Sequence, residues 1–486
     1  MPRRPLPRLA ILVALLGSTI GPAQAETLQD ALAAAYRNNP TLTAVRAGQR
    51  ATDETYNIQK ASGLPNLGVT STYTESAHSR PLNPLLAPRD LNTSLSLSVP
   101  LYSGGRVRNG MTGAQRRIEA GQFDVRSTEL TVFSQVVAAY MDVIRGQSLV
   151  ALSRNNVDVL EVNLKATNNR FQVGDLTRTD VAQSESRLSL ARGDLKTAEA
   201  TLIEARERYI QLVGHAPVDL QAPPPLPGLP ATPDEAVETA LANNPDLAAA
   251  RKQREANGYD VRVARGQRLP TVSGFVSGGY DTSLGSASRE AVDLGVGGDT
   301  DTVQLGARLT LPLYQGGGPA AQVRQSQARE QQAMEQETAV ERDVIAQTRS
   351  LYASWQASDE VIASSRVAVD AAALSLQGVR AENTVGTRTI LDILNAEQEA
   401  FSSRVQLVTA ERNAYVASFS LLAAMNRIDL AEFGIATGDI YDPAENFGRV
   451  KGKWSDWNDD AAPQPISSRT VDSPAQNATI SPDIKP

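Results

Sequence analysis

The chain has 486 residues, 54 acidic against 47 basic, and only 5% of them are aromatic. It lacks cysteine and has two histidines, His78 and His215, which excludes a disulfide scaffold, a zinc ribbon, an iron–sulfur site and a multi-histidine metal centre. The formal charge of -7 argues against nucleic acid as a partner, and no nucleophile or acid–base constellation stands out, so neither an enzyme nor a cofactor is expected.

Arg3, Arg4 and Arg8 flank the apolar run Leu9 to Leu16, and Ala23-Gln24-Ala25 offers a small-residue cleavage site. Residues 1–25 therefore read as a signal peptide, with Glu26 as the first mature residue. The apolar run is far below the roughly 20 residues of a spanning helix, and no stretch of about 18 apolar residues follows. An exported chain of this kind is either soluble or held in a membrane by a β-barrel.

Next comes an Ala-rich helical segment ending at Asn38-Asn39-Pro40. Leu67-Val69-Ser71-Tyr73 is a weak strand pattern; in a stronger one, Leu95, Leu97, Val99 and Leu101 alternate with Ser94, Ser96 and Ser98. This is the period of two of a strand with one apolar and one polar face, and it predicts a hairpin over about 66–102 with Glu75 to Asp90 as its tip. About 10 residues is the length a tilted strand needs to cross a bilayer, although a soluble hairpin packed on helices has the same pattern.

Proline is absent from 101 to 216, and the composition favours helix. A helix from about Arg106 to Arg170, on the order of 100 Å long, should break at Val173-Gly174-Asp175, where glycine supplies the turn. A second helix runs to about Val213. Its Leu188, Ala191, Leu195, Ala198, Leu202, Ala205, Tyr209 and Leu212 recur at spacings of three and four, a seam whose small residues allow close approach. On periodicity alone, an ordinary solvated coiled coil is the plainer account of this seam.

The same order of patterns then recurs. Asn243-Asn244-Pro245 repeats Asn38-Asn39-Pro40 at an offset of 205, and Pro312-Leu313-Tyr314 repeats Pro100-Leu101-Tyr102 at an offset of 212. The second offset persists through Tyr140 and Tyr352, Gly174 and Gly386, and Asp180 and Asp392. The chain is thus a tandem duplication: repeats over 26–221 and 232–447, a Pro-rich linker over 222–231, and a tail over 448–486 whose composition reads as disordered. The second hairpin is expected over about 271–314, where Val303, Leu305, Ala307, Leu309, Leu311 and Leu313 alternate with polar residues or glycine.

Two hairpins provide four strands, too few to close a barrel, and an open sheet cannot sit in lipid with its edges unpaired. Several chains must share one barrel. Two would give eight strands and a filled interior, while three would give twelve and a lumen, which makes a homotrimer the preferred assembly.

The Asn-Asn-Pro helix ends, the Pro-Leu-Tyr-x-Gly-Gly strand exits and the segment Val385 to Leu394 together resemble the TolC family of bacterial outer-membrane channel proteins over about Glu26 to Phe447. The resemblance implies a mixed α and β membrane protein: a trimeric 12-stranded outer-membrane β-barrel continued by a 12-helix periplasmic tunnel. It implies docking to a periplasmic adaptor and an inner-membrane transporter of ABC or RND type, in efflux or type I secretion from a Gram-negative cell. A soluble periplasmic coiled-coil adaptor is the alternative reading. By motif, Arg388 falls at the family's gate-latch arginine, Thr179 and Asp180 at its partners, and Asp392 at the first position of an anionic entrance ring. Two positions depart from the family: Asn395 stands at the ring's second aspartate and Asn383 at a latch tyrosine, which implies weaker cation preference and fewer latch contacts.

Overall fold

A computed structural model describes residues 25–77, 87–295, 298–429, 431 and 440–480. The expected signal peptide, except Ala25, lies outside them, as do His78 and the centre of the first hairpin's tip. The first repeat holds α1 (Leu28–Asn38), α2 (Pro40–Ala61), β1 (Asn66–Glu75), β2 (Arg89–Tyr102), α3 (Arg106–Gln172) and α4 (Arg178–Val213). The second holds α5 (Pro233–Asn243), α6 (Pro245–Gly266), β3 (Thr271–Thr282), α7 (Arg289–Asp293), β4 (Thr300–Thr310), α8 (Gly318–Thr384) and α9 (Ile390–Ala424). A short α10 (Glu445–Val450) follows. Among the described residues, no helix is long and apolar enough to cross a membrane.

The repeated Asn-Asn-Pro has a structural reason. Asn39 caps α2 by accepting from the Thr41 N–H at 2.9 Å, and Pro40 fills the first turn, where a missing N–H costs nothing. The Asn39 amide also donates to the Leu212 carbonyl in the last turn of α4 at 2.9 Å, satisfying a buried helix end. Asn244 repeats both roles, capping α6 and donating to the Ala424 carbonyl of α9 at 3.0 Å. The motif therefore locks each short helix pair to the end of its own long hairpin.

The four strands form one antiparallel sheet in the order β1-β2-β3-β4. Register places Leu67 opposite Leu97, Leu97 opposite Val276 and Val276 opposite Leu305, so the alternating apolar residues share one face. That face is bare: Leu67, Val69, Val303, Leu305 and Leu309 are each at least 66% exposed. The other face carries Ser94, Ser96, Ser98, Ser277, Gln304 and Arg308, with Phe275 lying against Gly306. β4 stops at Thr310, short of the expected 314, because its partner β3 begins at Thr271 and among the described residues nothing pairs with Leu311 or Leu313. β2 reaches Tyr102 through a bulge that leaves Leu101 without a register partner between Pro100 and Tyr102.

Toward the sheet, helices lie side by side as α2, α3, α6 and α8, the order of the strands they feed. Beyond the waist, α3 pairs with α4 and α8 with α9, while α3 also touches α9. The main core sits at the waist, where Leu32, Tyr36, Phe133, Tyr140, Leu202, Tyr209 and Phe419 are buried together. Arg412 ties α9 to α3 there through two 3.0 Å bonds to Asp142. Most of the seam foreseen on α4 is buried, including Leu188, Ala191, Leu202, Ala205, Tyr209 and Leu212.

The tail departs from the expected disorder. α10 packs on α2, and beyond it the chain has no regular elements up to residue 480 but stays attached. The Thr43 and Ser467 hydroxyls are 2.9 Å apart, Arg206 donates to the carbonyls of Asn477 and Thr479, and Ala478 and Ile480 pack against the waist core. Composition underestimated this because the tail needs no core of its own; it uses a surface already built.

Candidate functional site

The sequence-predicted site residues gather where the two long hairpins turn, at the end of the helices farthest from the sheet. Gly174 and Gly386 stand in the left-handed region at φ of +85° and +82°, which a side chain would strain. Each turn then starts a helix with the same reciprocal cap. Thr177 donates its N–H to Asp180 Oδ2 at 2.8 Å, and the Asp180 N–H returns to Thr177 Oγ1 at 3.3 Å. Thr389 and Asp392 repeat this at 2.9 and 3.3 Å. The shared aspartate thus has a local reason, the Thr-x-x-Asp capping box, which was present in the sequence as a signal in its own right.

Within one chain the expected latch residues do not meet. Arg388 Nε donates to Glu382 Oε2 at 2.7 Å across its own turn, and no hydrogen bond or ion pair among the described residues joins it to Thr179 or Asp180. Glu382 lies six residues away on the same turn, whereas Asp180 belongs to the other hairpin and faces its own cap. Asn383 does link the hairpins: its Oδ1 accepts from Arg170 of α3 at 3.4 Å, and its amide donates to the Arg388 carbonyl at 2.7 Å. Asn395 likewise accepts from Arg187 of α4 at 3.0 Å.

A further residue was missed. Glu397, on α9 and 5% exposed, accepts from Asn163 of α3 at 2.8 Å and from Arg380 of α8 at 2.9 Å, so one carboxylate joins three helices. Charged hydrogen bonds of this kind contribute about 1.5–3 kcal/mol, at the lower end here because Arg380 is half exposed. The available signal was the repeat itself: at the offset of 212 the α4 seam starting at Leu188 recurs on α9 from Ala400, and one step of three before it stands Glu397.

Comparison with known proteins decides the family. The family model described as outer membrane efflux protein matches residues 31–215 and again 236–427, once per repeat. The chain belongs to this family. Outer membrane efflux protein BepC of Brucella suis biovar 1 (strain 1330) is 34% identical over 458 residues, covering 92% of this chain and 96% of its own. Outer membrane protein TolC of Escherichia coli (strain K12) is 26% identical over 435 residues, covering 87% and 86%. The crystal structure of the Campylobacter jejuni CmeC outer membrane channel superposes with a TM-score of 0.72 at 16% identity, over 87% of this chain and 89% of that one.

Membership in the efflux family makes the chain an outer-membrane channel component rather than an enzyme, and it sets aside the soluble adaptor. The chain's place is the outer membrane of a Gram-negative cell, extending into the periplasm. At the hairpin tip, the Thr389 N–H and hydroxyl hold the Asp392 carboxyl below the usual carboxylate range. A depressed folded value means that the cap's contribution is complete above the unfolded pKa, about 3.9, and is lost as pH falls through the folded value. If Asp392 rings the entrance, cation preference should persist at pH 4.5 and fall in Asp392→Asn at any pH above the folded value. Reversal potentials in a salt gradient measure this, and unchanged selectivity in the variant removes the ring.

Proposed function

We propose that three copies of this chain close a 12-stranded barrel, continued by a 12-helix periplasmic tunnel, and form the exit duct of a tripartite efflux or type I secretion system. The duct is passive. A periplasmic adaptor couples it to an inner-membrane ABC or RND transporter, which supplies the energy and loads drugs or proteins.

The observation that carries this reading is the sheet: four strands, one apolar face, and two edges, β1 and β4, unpaired among the described residues. In lipid those edge groups need partners, and β4 of one chain against β1 of the next supplies them all only when the ring closes. The internal repeat supports the same ring. The elbow at Gly104 fits so tightly that a Cβ there would lie 2.5 Å from the Gly266 carbonyl oxygen, whereas the equivalent elbow at Gly316 has nothing within 4 Å. By the repeat, the surface matching Gly266 to Leu269 is Ala61 to Leu64, which a neighbouring chain would present to Gly316. α8 also leaves Val361, Val367 and Leu374 at least 51% exposed, as a helix awaiting a neighbour would.

At the tip, Arg388 of one chain is placed to trade Glu382 for Thr179 and Asp180 of the next, while Glu397 holds the two hairpins of one chain together. Purified protein in planar bilayers tests the whole reading: discrete channels from an SDS-resistant trimer are expected. A water-soluble monomer without conductance overturns it. Arg388→Ser and Glu397→Gln should each raise single-channel conductance severalfold, and no rise in either counts against the tip as a gate.

A further inference from the structure

The segment after α10 holds two tryptophans in solvent on a clamped loop. α10 is fixed to α2: the Tyr56 and Phe447 rings meet edge to face at 5.4 Å, and Val450 is fully buried. Asn57 donates to the Val450 carbonyl at 2.9 Å and Lys60 to the Lys451 carbonyl at 3.2 Å. Residues 450 and 451 are therefore pinned to the last turn of α2, just before β1 begins at Asn66. The chain then makes an excursion and returns, because Asp460 accepts from Arg449 and from Lys453, both at 2.9 Å. Between Lys453 and Asp460 stand Trp454 and Trp457, 82% and 93% exposed.

Their level in the molecule is what matters. The apolar sheet face ends on the helix side with Tyr102, 49% exposed, and at the opposite end with Tyr73 and Tyr280, while Tyr314, four residues past the end of β4, is 88% exposed. Aromatic side chains at both ends of an apolar band mark the two membrane interfaces. Three residues of chain reach at most about 10 Å, so Trp454 lies close to the helix-side rim. From Lys453 to Asp460 one basic residue stands against three acidic ones, so charge does not draw the loop to an anionic partner. Indole, apolar in body with a polar N–H, fits a headgroup layer.

We propose that the loop from Lys453 to Asp460 is a membrane anchor, with Trp454 and Trp457 inserted into the headgroup layer of the outer membrane's periplasmic leaflet, outside the barrel wall. This rests on the barrel reading above.

The chain has three tryptophans, and the third, Trp355, packs on Tyr352 at the waist, where it serves as an internal control. The full-length trimer would be reconstituted into phosphatidylcholine vesicles whose acyl chains are brominated near the headgroup. Trp355→Phe, which keeps the loop pair, should lose more than half its emission relative to unbrominated vesicles. Trp454→Phe/Trp457→Phe, which keeps Trp355, should lose none. Unquenched loop tryptophans in a trimer that still conducts overturn the anchor and leave the barrel standing. Blue-shifted emission already present in detergent and insensitive to bromine also overturns it, placing the loop against a neighbouring subunit. Failure to insert or conduct overturns both.

Discussion

Leu305→Arg should abolish assembly of the channel in the outer membrane. Leu305 lies mid-way along β4, is 82% exposed and pairs with Val276 in the middle of the apolar face. An arginine on the lipid face near the mid-plane costs about 2–4 kcal/mol, and a trimer meets that cost three times. The adjacent Gln304 faces the opposite side, opposite Ser277, so Gln304→Arg should assemble normally and alter only conduction. Heat-modifiable trimer in outer-membrane fractions measures both, and a Leu305→Arg trimer at wild-type level would sink the assignment of this face to lipid.

Valine at Gly104 and at Gly316 should both destroy the trimer, for reasons separable in the monomer. Gly104, at φ +64°, would lose roughly 1–2 kcal/mol to the left-handed backbone and about 1–3 more to the clash with Gly266. The atom in the way is backbone, so nothing yields cheaply, and the detergent-solubilised chain itself should be destabilised. Gly316, at φ +59°, carries the same backbone strain but has open space within the chain. Its clash arises only if a neighbour's Ala61 to Leu64 turn packs there. Gly386→Val, strained at φ +82° but open at the tip, controls for strain alone. Gly316→Val trimers that dissociate no more readily than those of Gly386→Val would rule out the proposed ring contact.

Much of the architecture was legible because it is written locally. The absence of proline across 101–216 and 320–442 announced helices, and α3 and α8 both run 67 residues. Alternation along Leu95 to Leu101 and Val303 to Leu309 assigned the sheet's two faces. The tip was less legible. Asp180 and Asp392 drew attention as a repeated charge, while their nearest task, closing a cap with Thr177 and Thr389, was overlooked. The family motif points Arg388 at the other hairpin, while within the chain its partner is Glu382 on its own turn. The Trp454 and Trp457 segment looked like filler because composition cannot register that Asp460 returns to Arg449.

The sequence by itself determined a duplicated unit, four long helices and four amphipathic strands, since periodicity and helix-start chemistry act over three to seven residues. Only the tertiary structure decided which polar groups meet. Glu397 reaches Asn163 across 234 positions and Asn57 reaches the Val450 carbonyl across 393. Contacts at such separation depend on how the hairpins pack, and packing is fixed by a buried waist that no local pattern encodes.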